Sequence, residues 1–191
     1  MLHDIGRFEQ IKRYNTFSDA KSVDHAVFGA DLLFGEGMIK DFDLDLSEEE
    51  LSILEKSIRY HSAYRLPEEL SDNEIKYCNV LRDADKVDIF RACCDTPFEQ
   101  IYNVTTEELR NSAVSDEIKV CFNNHTTVLR KLKQNPADYI VGHICLVFEL
   151  VYPISREIAR RQGYIDRLLD FRSDNPDTIQ WFRYMRENIW K

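Results

Sequence analysis

The chain has 191 residues, 43% of them hydrophobic and 31% charged, with a formal net charge of -9. This length can bury a substantial core, and the acidic balance excludes a surface that draws nucleic-acid polymer or anionic membrane toward it as a whole. Six glycines and five prolines are few for this length, which disfavours a turn-rich β fold and suits helices.

MLHDIGRFEQ places His3 beside Asp4, with Gly6 expected to end the helix that carries the pair. SVDHAVFGADLLF (22–34) has helical period, with Ser22 as expected N-cap and His25, Phe28, Gly29, Leu32 and Leu33 on one face. Residues 41–50 contain six acidic side chains and read as a solvated loop running into a helix start. SEEELSILEKSIRYHS (47–62) opens with a capping-box pattern, Ser47 and Glu50, and its apolar stripe Leu51, Leu54, Ile58 ends in His61. DNEIKYCNVLRDADKVDIFRACC (72–94) puts Asp85 on a face otherwise made of Ile75, Cys78, Leu81 and Ile89. Short helices and turns are expected over 97–112, and further helices after Ser115 to 133, over 136–153 behind Pro136, and over 154–171 and 175–191. The expectation is an all-α single domain spanning 1–191, with a chemistry-bearing half 1–94 and completing helices 97–191.

No stretch of 18 uncharged residues and no basic, apolar leader is present, and the five cysteines show no CxxC spacing. A cytoplasmic protein with reduced thiols, and no membrane partner, is expected. Trp181 and Trp190 give the last helix an aromatic face, for which homodimer contacts are the expectation.

Five histidines exist. His3 with Asp4, His25, His61 and Asp85 lie on four segments whose inward faces could share one interior, and mixed imidazole and carboxylate ligands suit iron, manganese, zinc or nickel. His3 and Asp4 are adjacent, so they address two ions, or one with Asp4 bridging. The plainer alternatives stay open. A histidine on an apolar face is ordinarily a satisfied core residue, and Asp85 has Arg82 and Lys86 within pairing distance along its helix. Asp88 can orient a ligand or make a surface salt link. Arg7, Arg59, Arg65 and Lys86 flank the candidates and are able to hold phosphate oxygens. His125 reads as a surface or pocket-lining residue, and His143 as structural.

HDIGRFEQ, SVDHAVFGADLLF, IRYHSAYRLPEEL and LRDADKVDIFR, in this order over residues 2 to 91, resemble the HD-domain metal-dependent phosphohydrolases. The resemblance implies an all-helical fold and a dinuclear site in which His3 and Asp4 match the HD pair, Asp85 the distant aspartate, and His25 and His61 the additional histidines of two-metal members. Asp4 would bridge the ions, and Gly6 matches the glycine of the motif. Arg7 stands where lysine is common, which keeps the charge but changes its geometry. The family's first ligand histidine lies on a helix upstream of the pair, where this sequence has only Met1 and Leu2.

The activity this implies is hydrolysis of a phosphomonoester or phosphodiester in a small molecule or nucleotide by metal-activated water, with one or two divalent ions. Asp4, Asp85, Arg7 and Lys86 would do the catalytic work. The alternative is an HD-like binding or signalling protein with little or no turnover. No Gly-rich phosphate loop and no basic aromatic stripe is present to indicate ATP or a nucleic-acid polymer.

Overall fold

A computed structural model describes residues 2–191, and among them it contains helices and no strand. The all-α expectation therefore holds. No helix of the described residues is long and apolar enough to cross a membrane. The chain divides into two compact units, Met1–Arg82 and Asp83–Lys191.

In the first unit a 3-10 turn, Leu2–Asp4, leads directly into α1 (Ile5–Tyr14). The His-Asp pair thus starts a helix. Gly6, expected to end one, is the second residue of α1 and serves a different purpose: a Cβ there would stand 2.2 Å from the His25 carbonyl oxygen and 2.8 Å from the Gly29 nitrogen. Hydrogen at this position lets α1 touch the backbone of α2 (His25–Ala30). Asn15 closes α1 in the left-handed conformation (φ 52°). The N-cap of α2 is Asp24, two residues later than expected, and its carboxylate accepts from the amides of Ala26 and Val27. Ser22 turns instead toward Gln10 and the Ser18 carbonyl.

After a π turn (Asp31–Gly35) and an exposed acidic loop comes α3 (Glu48–Tyr60), where Ser47 and Glu50 form the capping box. Ala30, Leu33 and Ile58 make a small core, and Leu2, Ile5, Leu54 and Leu81 pack on it. Leu2 and Ile5 flank His3 and Asp4, so burying these two apolar side chains anchors the turn that carries the pair. Phe28, expected inside, is half-buried with the Arg13 guanidinium 5.1 Å over its ring.

Helix α4 (Asp72–Asp95) contains the division between the units. Its most buried positions are Cys78, Arg82, Asp83, Lys86, Phe90 and Cys93, a face rotated from the expected one. Arg82 causes part of this shift by donating to the carbonyls of Tyr60 and Ala63, at and just beyond the end of α3.

The second unit adds α5 (Phe98–Tyr102), α6 (Thr106–Asn111), α7 (Asp116–Asn123), α8 (Pro136–Ile144), α9 (Pro153–Gln162), α10 (Tyr164–Leu169) and α11 (Pro176–Asn188). Several long expected helices are broken. The stretch 115–133 stops at Asn123 before His125, which has φ 52°, and 154–171 is interrupted by Gly163 at φ 72°. The core is a continuous apolar cluster that includes Phe90, Ile118, Phe122, Ile140, Ile144, Ile165 and Met185. Trp181 and Trp190 pack against it. The fully buried Asp138 ties α7 to α8, accepting from the backbone of Ser115, Gln134 and Asn135 and from the Ser115 hydroxyl.

Candidate metal centre

The close crossing of Gly6 and Gly29 sets the site. It brings Asp4, at the N-terminus of α1, against His25, the first residue of α2. His61 arrives from the C-terminus of α3, where the free carbonyl ends of the helix favour a nearby cation. His25 and His61 are buried, whereas the Asp4 side chain is 45% exposed, so the cluster opens to solvent on the Asp4 side.

Each ring has one nitrogen assigned by its neighbour. His61 Nδ1 lies 2.7 Å from the Ile58 carbonyl oxygen, which can only accept, so Nδ1 carries the proton. His25 Nδ1 lies 2.8 Å from Asp19 Oδ2 and donates to that carboxylate. The two Nε2 atoms are thereby left facing each other at 3.1 Å, with Asp4 Oδ1 at 3.5 Å from His25 Nε2 and 3.8 Å from His61 Nε2. Neighbouring ligands around an ion held at about 2.0–2.2 Å are spaced ~2.8–3.6 Å apart. Two of the three distances lie in that range and the third just outside it.

Asp4 also faces the other way. Its Oδ2 is 3.2 Å from His3 Nε2, and one ligand atom each from His3, Asp4 and His61 lie within 4.8 Å of one another. The His3 and His61 rings meet edge to face at 5.0 Å. Asp4 Oδ1 thus faces His25 and His61 while Oδ2 faces His3, so the two carboxylate oxygens look toward different imidazoles. The hydrogen bond from His3 holds the Asp4 carboxyl down at about 2, against the opposing effect of burial and with the help of the neighbouring imidazoles. Asp4 is ionised at neutral pH.

Sequence reasoning missed Asp19 and Gln10. Burial would raise the Asp19 carboxyl, but hydrogen bonds from His25 and Gln10 and the charges of His25 and Arg7 outweigh it and bring it to about 2. Arg7 donates to Asp19 Oδ1 at 2.8 Å and to the Phe17 carbonyl at 2.7 Å, with its Nε 3.9 Å from Asp4. Its guanidinium therefore braces the cluster from the side. The available signal was Gln10, a polar residue one turn after Gly6 on the inward face of α1.

Several of the other expected residues have partners of their own. Arg59 bonds Glu55 and Asp31, each at 2.9 Å. Arg65 lies over the Tyr64 ring at 5.7 Å. Asp85 sits half-buried on α4 within the second unit, and Lys86 is buried with Glu149 at 3.4 Å. Asp88 bonds Arg91, the surface salt link. Asp83, unremarked in the sequence, is the buried carboxylate of this stretch and accepts from the amides of Val151 and Tyr152 ahead of α9. His125 stacks on Phe148 at 4.7 Å and lines a cleft of about 300 Å³ with Arg156, Arg160 and Trp190. His143 Nδ1 shares a hydrogen bond with the Tyr102 hydroxyl at 2.7 Å, with the Cys93 sulfur at 3.3 Å, a structural arrangement. No family model, curated protein or solved structure matches the chain.

Proposed function

We propose that His3, Asp4, His25 and His61 bind one or two divalent transition-metal ions and that the protein hydrolyses a phosphoester in a small molecule or nucleotide. The carrying observation is the face-to-face approach of His25 Nε2 and His61 Nε2 beside Asp4 Oδ1, on rings whose Nδ1 atoms donate elsewhere. Converging acceptor atoms repel one another unless a proton or a metal cation lies among them, and a cation there would be held by all three. Imidazole and carboxylate together suit iron, manganese, zinc or nickel.

A bound ion would supply Lewis acidity and a water acidic enough to act as nucleophile near neutral pH. The residues contribute position and charge. Asp4, partly exposed, holds the open edge where a phosphoester would approach, while the buried imidazoles keep the far side fixed. The resemblance to HD-domain phosphohydrolases gives the reaction class, with Asp85 as a further ligand in that family pattern.

A second reading, an HD-like binding or signalling protein with little turnover, draws on the engagement of Arg7 with Asp19 and of Arg59 with Asp31 and Glu55. These cations are held by carboxylates and are less available to phosphate oxygens. Reconstitution with iron(II), manganese, zinc or nickel, followed by assay on bis(p-nitrophenyl) phosphate, p-nitrophenyl phosphate and mononucleotides, separates the two. Metal uptake with metal-dependent hydrolysis supports the hydrolase; uptake without hydrolysis supports the binding protein. A chain that takes up none of the four metals contradicts both.

A further inference from the structure

Asp19 presents its two oxygens to different neighbours. Oδ2 faces His25 Nδ1 at 2.8 Å, and Oδ1 receives Arg7 at 2.8 Å and Gln10 Nε2 at 2.9 Å. Neither donor can reverse its role. A guanidinium has no acceptor atom. Gln10 is fully buried, and its Nε2 also lies 2.9 Å from the Val23 carbonyl oxygen, which only accepts, so the amide cannot flip. A third contact, to Ser22 Oγ at 2.9 Å, agrees, because that hydroxyl spends its proton on the Ser18 carbonyl.

We infer that Asp19 is a positioning residue that fixes the His25 tautomer, keeping the Nε2 lone pair pointed into the metal cluster. The inference rests on the metal reading above, and goes beyond it by naming what prepares a ligand for the ion. Hydrogen-bonding partners behind a ligating histidine commonly set which nitrogen binds.

The consequence is sharpest for an isosteric change. In Asp19→Asn the side of residue 19 that meets Arg7 and Gln10 still has to be an oxygen. The amide NH2 must then face His25 Nδ1, which can accept only by giving up its proton. The proton moves to Nε2, toward His61 Nε2 at 3.1 Å and Asp4 Oδ1 at 3.5 Å. Every hydrogen bond is kept, although the charge that paired with Arg7 is gone; the lone pair that would bind the ion is lost.

Long-range proton–nitrogen spectra of the 15N-labelled, metal-free full chain read the tautomer directly. The expected result is an Nδ1–H form of His25 in the wild type and an Nε2–H form in Asp19→Asn, with a cooperative thermal transition kept at a somewhat lower temperature because the Arg7 ion pair is lost. Zinc competition titrations should then show affinity weaker by roughly 10–100-fold. Asp19→Ala, which removes the constraint altogether, serves as a second variant and should leave His25 a mixture of both forms. An Nδ1–H form retained in Asp19→Asn overturns the inference, as does a changed tautomer with unchanged zinc affinity. A wild-type chain that takes up no zinc overturns the metal reading instead, and the spectra still decide whether Asp19 sets the tautomer.

Discussion

The two units treat their histidines in opposite ways. In the second, His143 shares a hydrogen bond with Tyr102, and desolvation, aided by the charge of Lys133, lowers its pKa to about 3. It is a neutral ring satisfied by a neutral partner. In the first, His25 and His61 are buried more deeply than His143, and each spends its proton on Nδ1 and turns Nε2 toward the other and toward an ionised carboxylate. What separates a structural histidine from a candidate ligand is which groups its ring nitrogens meet.

Removing one ring from each unit should break the comparison most visibly. His25→Ala and His61→Ala are expected to lower metal content to background and to abolish metal-dependent hydrolysis, read by elemental analysis and the phosphoester assay. His143→Ala should leave metal content unchanged and reduce stability by about 1–3 kcal/mol, because the Tyr102 hydroxyl loses its buried partner. Chemical denaturation measures that cost.

Two glycines sharpen the contrast at a smaller scale. Gly6→Ala sets a methyl 2.2 Å from a backbone oxygen and must push α1 from α2, which is expected to cost about 1–3 kcal/mol and to weaken metal binding. Gly142→Ala meets only the end of the Lys133 side chain, 2.6 Å from Cε. That end can swing aside, and alanine favours the helix by about 1 kcal/mol, so the change should be close to neutral. Thermal melts of both variants check the pair.

The comparison also extends to pH dependence. Since His143 titrates at about 3 when folded and near 6.5 when unfolded, the unfolded chain binds the extra proton between these values. Stability therefore falls as pH drops from about 6.5 toward 3, and His143 contributes no slope above that window. Melting curves from pH 7 to 4 should show less acid loss for His143→Gln than for the wild type.

Helical class was readable because periodic apolar faces and caps such as Ser47 with Glu50 are local signals. His25 and His61 were readable for the same reason, as imidazoles standing on apolar stripes. Asp19 was not, since it lies in a polar turn without periodicity and its partners are six to twelve residues away. The face of α4 was misjudged because Arg82 and Lys86 are buried by their partners, a tertiary fact that hydropathy cannot register. Gly6 was read as a terminator because a contact between two helix backbones leaves no trace in either segment alone.

Zinc titration of the 15N-labelled chain, followed at the imidazole nitrogens, tests the convergence of His25 and His61 most directly. The expected result is a large shift of both Nε2 resonances with the first equivalents of zinc, retained protons on both Nδ1 atoms, and no change at His143. Unmoved His25 and His61 resonances, or equal movement at His143, would contradict the metal centre.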